Sequence, residues 1–275
     1  MRSLLITGAS SGIGLDAAHH FHARGWRVFA TCRRAEDCAR LRDAGLESFP
    51  LDLASEDSCA AAIETALERT GGTLDALFNN GAFASPGLVE DLPRGALRAI
   101  FETNVFGQFD LIRRVLPTMR AQGHGRIVLN SSVLGFVGLR ARGAYVGTKF
   151  AMEGMTDVLR LEIRDEPIHV ILVEPGPIAS EIRQKARPHF ERWIDWEASH
   201  QRGFYEKAVR RRLYADTRER DRFELPASAV SKKLEHALEH PRPHPRYFVT
   251  KPTYMMNLCR RILPTRLLDR ILITA

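Results

Sequence analysis

The first chemistry suggested by this sequence belongs to a tyrosine and a lysine in the segment GAYVGTKF, residues 143–150. Tyr145 and Lys149 are four positions apart, so in a helix the phenol and the ammonium group lie on one face, within reach of each other. A neighbouring ammonium group stabilises the phenolate and lowers the pKa of the phenol, which suits proton exchange near neutral pH. The spacing alone is weak support, because exposed tyrosines and lysines occur at this separation on many surface helices.

A glycine-rich loop near the start of the chain is a second candidate site. Residues 7–14 read TGASSGIG, and their three glycines lie between an apolar, strand-like run and a helix-like segment. Glycines allow a tight turn, let the backbone approach a pyrophosphate and direct the N–H groups of a helix N-terminus at its charge. The loop therefore predicts dinucleotide binding, and the alternative is a purely structural turn.

Alternating strands and helices must position these residues. The apolar runs SLLIT, WRVFAT, LESFPLD, LDALFNN, GRIVLNSS, IHVILVEP and RYFVT alternate with helical stretches. Because each parallel pair needs a crossover, this pattern predicts an α/β Rossmann fold with a doubly wound parallel sheet of about seven strands. We expect helices on both faces, a helical insertion at 180–223 after the sixth strand, an amphipathic tail at 251–275 and one domain, 1–275.

Five motifs, in this order, resemble those of the short-chain dehydrogenase/reductase family. They are TGASSGIG, NNGA at Asn79–Ala82, Ser132, the Tyr-x-x-x-Lys pair and Pro175-Gly176, and they span about the first 180 residues. NNGA is the one imperfect match, since the family usually has alanine before glycine there. The chain looks closest to NADP-dependent carbonyl or aldehyde reductases and to 17β-hydroxysteroid or retinol dehydrogenase-like members. The resemblance implies NADP(H)-dependent interconversion of a carbonyl and an alcohol.

The resemblance implies a role for each of four side chains. Tyr145 is expected to be the general acid in carbonyl reduction, while Lys149 lowers its pKa and holds the nicotinamide ribose. Ser132, thirteen residues before Tyr145, is expected to hydrogen-bond the substrate oxygen, and Asn104 in TNVFG to support a water relay. The alternatives are that Ser132 or its neighbour Ser131 caps a turn and that Asn104 is a packing residue.

The end of the second predicted strand bears on the choice of dinucleotide. NAD-specific folds usually have an acidic residue there, which accepts hydrogen bonds from the ribose hydroxyl groups. Thr31 and Cys32 carry no charge, and Arg33 and Arg34 follow directly. Because arginines bind a 2′-phosphate well, the pattern favours NADP(H); the alternative is that both arginines only begin a solvated helix.

Further cofactor contacts are implied by the resemblance. Asp52 is expected at the adenine edge, Asn79 beneath the adenosine ribose and the backbone of Pro175–Ile178 at the nicotinamide carboxamide. The full set of expected cofactor contacts is Gly8, Ser10, Ser11, Gly12, Ile13, Gly14, Arg33, Arg34, Asp52, Leu53, Asn79, Gly81, Tyr145, Lys149, Pro175, Gly176 and Ile178.

Substrate contacts are expected in two segments that follow strand ends, Val133–Gly143 and the insertion at 180–223. Leu134 is the expected apolar contact beside Ser132 and Tyr145. The aromatic and aliphatic residues of these segments favour a sizeable apolar substrate, such as a lipid-like aldehyde, a retinoid or a steroid-like ketone. The alternative is that these side chains only pack the insertion onto the sheet.

The composition is that of an ordinary globular protein, with 44% hydrophobic and 27% charged residues. No run approaches the roughly 20 apolar residues of a membrane-spanning helix, and we expect no targeting segment at the start. The four cysteines show neither metal-ligand nor disulfide spacing, so we expect no metal site and free thiols in a reducing cytoplasm.

Basic residues are concentrated toward the C-terminus. Residues 183–275 hold 21 basic and 11 acidic side chains, against 19 and 22 in residues 1–182. The tail has apolar residues at helical spacing with arginines between them, and we expect it to pack against protein, with weak peripheral membrane contact as the alternative. No nucleic-acid motif is apparent, so no such partner is expected. The resemblance implies a homodimer or homotetramer built on the long helices after the fourth and fifth predicted strands.

Two other functions are compatible with this kind of fold. A sugar-nucleotide epimerase or dehydratase also uses Tyr-x-x-x-Lys, but the glycine spacing and the short C-terminal part disfavour it. A non-catalytic NADP(H)-binding sensor would need none of Ser132, Tyr145 and Lys149, and all three are present. The sequence therefore favours an oxidoreductase without naming its substrate.

Overall fold

The computed structural model describes residues 1–215 and 221–273, which contain one sheet of six parallel strands. The strands are β1 (Ser3–Ile6), β2 (Arg27–Ala30), β3 (Ala76–Asn79), β4 (Gly125–Asn130), β5 (Ile168–Glu174) and β6 (Arg246–Phe248). Their spatial order is β2-β1-β3-β4-β5-β6, so the chain crosses from one side of β1 to the other between β2 and β3. Such a switch point opens a crevice at the carboxyl ends of the strands.

The helices follow the strands as crossovers and as additions at the C-terminal end. Their bounds are α1 (Gly12–Ala23), α2 (Ala35–Asp43), α3 (Glu56–Thr70), α4 (Arg94–Phe101), α5 (Gly107–Gln122), α6 (Gly143–Glu162), α7 (Ile182–Lys185), α8 (Arg187–Trp193), α9 (Arg202–Phe204), α10 (Arg211–Tyr214), α11 (Ser228–Glu239), α12 (Lys251–Ile262) and α13 (Thr265–Leu272).

Helices cover both faces of the sheet, which explains why the strands are apolar along their whole length. In β1, Leu4 belongs to one hydrophobic cluster and Leu5 to the other, since alternate side chains point to opposite faces. Phe21 of α1 joins the first cluster, and Leu111 of α5 and Met152 of α6 join the second. The predicted doubly wound parallel sheet is confirmed.

The predicted strand LESFPLD is wrong, and the sheet has six strands where about seven were expected. Its residues make only two isolated bridges, Phe29 to Glu47 and Cys32 to Pro50, along the outer edge of β2. Pro50 has no N–H group to donate, and the Ser48 hydroxyl donates to a β2 carbonyl, so a continuous ladder does not form. The insertion therefore follows the fifth strand, β5.

The insertion predicted at 180–223 is helical over most of its length. It contains α7 to α10 and a π-helical segment, Tyr205–Arg210, while residues 216–220 lie outside the described part of the chain. Phe190, Tyr205 and Leu213 are buried in a third hydrophobic cluster, so these side chains pack the insertion onto the body of the protein. Packing thus accounts for part of the aromatic content that suggested an apolar substrate.

The tail forms α12 and α13, and residues 274 and 275 lie outside the described part of the chain. Thr253, Met256 and Leu268 are the buried residues of these two helices. Most of the predicted apolar stripe is exposed, so the tail packs against the protein through a minority of its apolar side chains. Within the described residues, no helix has the length and apolar character needed to cross a bilayer.

Candidate active site

The glycine loop connects β1 to α1 at the carboxyl edge of the sheet. Gly8 (φ +67°) and Gly12 (φ +56°) have left-handed backbone conformations that favour glycine. A Cβ on Gly14 would overlap the carbonyl oxygen of Gly8. Ser11, the N-cap of α1, makes no side-chain capping bond, which leaves the first N–H groups of the helix for a ligand. The loop, with Ser10 and Ile13, therefore fits a pyrophosphate.

Asn80 ties the glycine loop to its neighbours, and the sequence analysis did not single it out. Its Nδ2 donates to the carbonyl oxygens of Thr7 (3.0 Å) and Gly8 (3.1 Å), and its Oδ1 accepts from Asn130 Nδ2 at 2.9 Å. These bonds join the ends of β1, β3 and β4. The only signal in the sequence was the Asn-Asn pair, which does not say which asparagine faces the loop.

Two residues expected near the cofactor, Asn79 of β3 and Gly81 just after this strand, are hydrogen-bonded to α5. Asn79 is completely buried, and its Nδ2 donates to the carbonyl of Gln108 on α5 at 3.0 Å. Gln108 Nε2 donates to the carbonyl of Gly81 at 2.8 Å. A Cβ on Gly81 would lie 2.9 Å from Leu53 Cδ1, so glycine at this position of NNGA permits close packing. Asp52 is half-buried beside Leu53.

Two cationic side chains, Arg40 and Lys185, bond the glycine loop, and two more, Arg33 and Arg34, follow β2. Arg33 and Arg34 follow β2 and are exposed, and Arg33 has no hydrogen-bond or ion-pair partner in the described part of the chain. The rim of the loop therefore carries the charge that a 2′-phosphate requires. The other three cations make the contacts Arg34 Nε to Asp37 (3.0 Å), Arg40 to the Ser10 carbonyl (2.9 Å) and Lys185 to the Ser11 hydroxyl.

Ser132, Tyr145 and Lys149 come together where β4 ends and α6 begins. Ser132 lies beside Tyr145, where its hydroxyl favours the phenolate, and its Oγ accepts from the N–H of Leu134 at 3.1 Å. Lys149 lies one turn further along α6, with its Nζ 5.5 Å from the centre of the Tyr145 ring. The same Nζ donates to the carbonyl of Asn130 at 2.6 Å. Three of the four predicted catalytic side chains are therefore neighbours.

Burial dominates the protonation of Tyr145 and Lys149. It raises the pKa of the Tyr145 phenol to about 12, and the hydrogen bond from Ser132 opposes this only in part. Burial also lowers the pKa of Lys149 to about 7, against the attraction of the Glu153 carboxylate. The expected lowering of the phenol pKa is not found, because Lys149 Nζ is directed to the Asn130 carbonyl and burial outweighs the hydrogen bond.

Asn104 lies in a π-helical segment, Glu102–Phe106, between α4 and α5. Its Oδ1 accepts from the N–H of Phe83 at 3.1 Å, and its Nδ2 donates to the Phe83 carbonyl at 2.9 Å and to Thr148 Oγ1 at 3.3 Å. The side chain therefore fixes the segment after NNGA against α6. The role of Asn104 in a water relay stays a prediction.

A buried ion network lies beside Ser132 and Lys149. Glu153, one turn after the lysine, accepts a hydrogen bond from Ser131 Oγ and pairs with Arg246 of β6. Arg246 also pairs with Glu174 and, at 2.7 and 2.8 Å, with both carboxylate oxygens of Asp157. Burial, followed by repulsion from Glu153, raises the pKa of Glu174 to about 8. No local pattern indicates this network, since 93 residues separate Glu153 from Arg246.

The segment after β5 adjoins Ser132. The Pro175 carbonyl accepts from the N–H of Val133 at 2.8 Å, and a Cβ on Gly176 would overlap the hydroxyl of Thr250. Ile178 pairs with Leu225, where the chain returns from the insertion. These residues lie at the β4–β5 side of the crevice, whereas the two arginines lie at β2. Four strand spacings, about 19 Å, separate β2 from β5, which suits an extended dinucleotide.

The insertion reaches the residues that border this crevice. His189 of α8 stacks on Phe83, with ring centres 3.9 Å apart and planes 14° apart. A Cβ on Gly95 of α4 would lie 2.7 Å from the Trp193 ring, so the two segments are in close contact. Leu134, the predicted substrate contact, is half-buried next to Ser132. The site therefore has aromatic and aliphatic surroundings.

An apolar groove of about 550 Å³ opens between the loop after β4 and α13. The predicted catalytic residues do not line it, so the groove lies beside the site and is not its floor. Its apolar lining includes Phe136, Val137, Leu139, Phe150, Leu268 and Leu272.

The four cysteines are free thiols, although Cys32 Sγ and Cys38 Sγ lie 3.2 Å apart. Burial raises the pKa of Cys32 to about 12, so its thiol stays protonated and has little nucleophilic character. Across residues 1–215 and 221–273, no group of three or more His, Cys, Asp or Glu side chains is arranged to hold a metal ion.

Three comparisons with known proteins bear on this site. The family model described as short chain dehydrogenase matches residues 2–191. The uncharacterized oxidoreductase YbbO of Escherichia coli (strain K12) is 36% identical over 271 residues, which cover 98% of this chain and 94% of that protein. The NADPH-dependent 3-dehydrocapnine reductase of Ornithobacterium rhinotracheale is 30% identical over 281 residues, covering 98% and 96%. The crystal structure of a short-chain dehydrogenase from Streptomyces avermitilis has a TM-score of 0.77 at 26% identity, covering 93% and 90% of the two chains.

Proposed function

Because the chain belongs to the short-chain dehydrogenase family of NAD(P)-dependent oxidoreductases, we propose that it uses NADP(H) to interconvert apolar aldehydes or ketones and their alcohols. The observation that carries this proposal is the meeting of Ser132, Tyr145 and Lys149 at the carboxyl edge of the sheet. The cofactor, when bound, supplies or accepts the hydride. The residues of the chain hold the substrate oxygen and move its proton.

Tyr145 is the proton donor in the proposed reduction. Negative charge builds on the carbonyl oxygen as it is reduced, and a proton must reach that oxygen. With its pKa raised to about 12, the phenol is protonated at neutral pH, which is the form that reduction needs. Ser132, which lies beside Tyr145, donates to the same oxygen and holds it against the phenol.

Lys149 supplies the positive charge that favours the phenolate once the proton has left. Its pKa of about 7 means that the ammonium and the neutral amine coexist near neutrality. The Glu153 carboxylate favours the ammonium form, and Arg246 holds that carboxylate in place. The buried ion network is therefore coupled to the protonation of the site.

The cationic rim of the glycine loop supports NADP(H) over NAD(H). Two guanidinium groups follow β2, where NAD-specific folds have an acidic residue. Arg34 is paired with Asp37, and Arg33 has no partner among the described residues. The similarity to an NADPH-dependent reductase over 98% of the chain points to the same cofactor.

An apolar substrate fits the surroundings of the site. Leu134 lies next to Ser132, and Phe83 stacks on His189 of the insertion. Such a lining favours burial of a large apolar body with one polar carbonyl, as in a lipid-like aldehyde, a retinoid or a steroid-like ketone.

The proposed setting is a homodimer or homotetramer in the cytoplasm that acts on a small molecule and binds no nucleic acid. The apolar residues exposed on α6 are consistent with self-association. We also propose that the basic tail makes weak contact with a membrane surface.

The decisive experiment measures oxidation of NADPH by the purified protein across lipid-like aldehydes, steroid ketones, retinal and small ketones, with NADH tested in parallel. We expect turnover of apolar carbonyls with NADPH and slower turnover with NADH. Binding of NADPH without turnover of any carbonyl would favour the sensor alternative. Conversion of a sugar nucleotide without net oxidation or reduction of the cofactor would favour the epimerase or dehydratase.

Replacing the proton donor tests the assigned chemistry. Tyr145→Phe removes the hydroxyl that carries the proton, and loss of a general acid lowers the rate by about 100-fold or more. Because the ring remains, binding of NADPH should change little when followed by fluorescence titration. Tyr254→Phe, on the exposed face of α12, is the matched control and should turn over at the wild-type rate. Wild-type turnover by Tyr145→Phe would refute the assignment.

A further inference from the structure

The helices α12 and α13 expose an unusual number of large apolar side chains. Six of these side chains are between 45% and 75% exposed, although an amphipathic helix normally buries its apolar stripe. In contrast, the apolar residues Met256 of α12 and Leu268 of α13 are buried. We call these exposed residues and the cations between them the tail surface. Its apolar members are Tyr254, Met255, Leu258, Ile262, Leu267 and Ile273.

The charge on the tail surface is almost entirely of one sign. Residues 251–275 contain five basic side chains and a single acidic one, Asp269. None of the five cations has an ion-pair partner among the residues that the structure describes. The basic members of the tail surface are Lys251, Arg260, Arg261, Arg266 and Arg270.

We propose that the tail surface docks onto an anionic lipid bilayer. Helices that lie in a membrane interface insert apolar side chains among the lipid tails while their arginines remain at the negatively charged headgroups. The tail surface offers both features together, and its net positive charge is complementary to anionic lipid. Neither helix spans the bilayer, since α12 has 12 residues and α13 has 8.

Charge excludes a second copy of the chain as the occupant of this surface. Apposing two tail surfaces would bring two sets of unpaired cations together, and such like-charge contact is unfavourable. The exposed apolar stripe of α6 is different, because Asp157, Arg160 and Glu162 give it both signs of charge. We therefore assign self-association to α6 and expect the tail surface to bind a different partner.

The apolar side chains distinguish a bilayer from other anionic partners. A nucleic acid or an acidic peptide would neutralise the arginines, but its charged surface gives no favourable burial to Leu258, Ile262 or Leu267. Only a partner with an apolar layer below a negative surface satisfies both sets of side chains. A lipid bilayer has that arrangement.

Docking would place the bilayer next to the loop that follows the catalytic serine. Leu268 and Leu272, on the inner side of α13, face Phe136 and Leu139 of that loop across the apolar groove. This consequence rests on the proposed function: an apolar carbonyl compound dissolved in the bilayer would then be close to the site. The docking itself does not depend on the oxidoreductase activity.

Co-sedimentation of the full-length protein with vesicles tests the proposal. We expect it to sediment with vesicles of phosphatidylcholine and phosphatidylglycerol, to remain soluble with phosphatidylcholine alone and to be released by salt. Ile262→Asp should abolish sedimentation. The double variant Arg261→Gln, Arg266→Gln should weaken partitioning by on the order of tenfold or more, at roughly fivefold for each lost cation.

Matched substitutions elsewhere show whether the effect belongs to the tail surface. Val89→Asp replaces a valine that is also well exposed, and Arg94→Gln with Arg98→Gln removes two exposed arginines from α4. Both controls should sediment like the wild type. Equal sedimentation with neutral vesicles, none with anionic vesicles, or equal loss in the controls would overturn the proposal. A change of oligomeric state caused by Ile262→Asp would assign the surface to a second copy.

Activity measured in the same samples separates this proposal from the proposed function. The Ile262→Asp variant should catalyse reduction of a water-soluble short aldehyde at the wild-type rate, because Ile262 lies outside the proposed catalytic residues. If neither the wild type nor any variant reduces a carbonyl, the proposed function fails, but binding to anionic vesicles would still support the docking proposal. If activity is present and vesicle binding is absent, only the docking proposal fails.

Discussion

Among single residues, Arg33 and Arg34 are neighbours in sequence but differ in their surroundings. Arg34 is held by Asp37 at 3.0 Å, whereas Arg33 has no partner in the described part of the chain and lies near His189. A guanidinium without a partner can bind a 2′-phosphate without first giving up an ion pair. We therefore expect the proposed preference for NADP(H) to depend more on Arg33 than on Arg34.

Arg33→Ser should separate the two dinucleotides. A hydrogen bond to a charged group contributes about 1.5–3 kcal/mol, so the KM for NADPH should rise about tenfold or more, while that for NADH changes little. Steady-state kinetics with both cofactors would measure this. Arg98→Ser, an exposed arginine of α4, is the control and should leave both values unchanged. An equal rise for NADPH and NADH would show that Arg33 does not recognise the 2′-phosphate.

Glu174 contributes a pH dependence to the stability of the fold. Its side chain is completely buried, and its pKa is raised to about 8 from a usual value of 4.5, by burial and by the charge of Glu153. Between pH 4.5 and pH 8 the folded protein keeps a proton that the unfolded chain has released. The free energy of unfolding therefore falls as the pH rises through this window.

Glu174→Gln should remove that dependence, because glutamine resembles the protonated acid and cannot ionise. The variant should be about as stable as the wild type at pH 5 and more stable at pH 8.5, by about 2 kcal/mol or more. Thermal unfolding at both pH values would measure the difference. Glu64→Gln, exposed on α3, should show no such trend. A stability difference that is the same at pH 5 and pH 8.5 would contradict the assigned protonation.

At the scale of elements, the sequence predicts those features that a local pattern encodes. Gly8 and Gly12 adopt the left-handed turn that their loop suggested, and Tyr145 and Lys149 both lie in α6. Where an outcome depends on a distant partner, local patterns fail. The run around Pro50 has strand-like residues but lacks the donor needed for a ladder, and the bond between Glu153 and Arg246 joins α6 to β6. The pKa of Tyr145 likewise follows from burial, which spacing does not reveal.

Helix α5 illustrates how an element is positioned by a single glycine. Gly107 is the first residue of α5, and a Cβ there would overlap the backbone carbonyl of Leu53, one of the expected cofactor contacts. Glycine is thus required for the close approach of α5 to the segment that connects α2 to α3. Gly154 on α6 differs, because no described atom beyond its own helix backbone lies within 4 Å of the position that a Cβ would take.

Alanine at these two positions should have opposite effects. Gly107→Ala should destabilise the fold by about 1–3 kcal/mol, since an overpacked methyl group must displace rigid backbone. Gly154→Ala should leave the fold of the single chain unchanged or stabilise it by about 0.5–1 kcal/mol, because alanine favours the helix and meets no described atom of its own chain. Urea denaturation of both variants would measure the two changes. Equal stability of the two variants would show that α5 can shift away from Leu53 without cost.

For the whole molecule, two exposed apolar faces must be assigned to partners, and their charges differ. The tail surface carries unpaired positive charge, whereas α6 exposes Phe150, Val158 and Leu161 beside side chains of both signs. Phe150, Gly154, Val158 and Leu161 recur at i, i+4, i+8 and i+11, so they form one stripe along the helix. A small residue in that stripe lets a second helix approach closely. A two-fold contact between copies of α6 would bury the same stripe on each subunit.

Val158→Asp should therefore dissociate the oligomer, because an unpaired carboxylate would be buried at the centre of the contact on both subunits. Sedimentation velocity should give a homodimer or homotetramer for the wild type and, for the variant, a monomer or a dissociation constant at least about tenfold higher. Leu258→Asp makes the same change at a residue of similar exposure on α12, and it should leave the assembly intact. If the wild type sediments as a monomer, α6 is not an interface between subunits. Dissociation caused by Leu258→Asp and not by Val158→Asp would instead move self-association to the tail surface and leave no face for the bilayer.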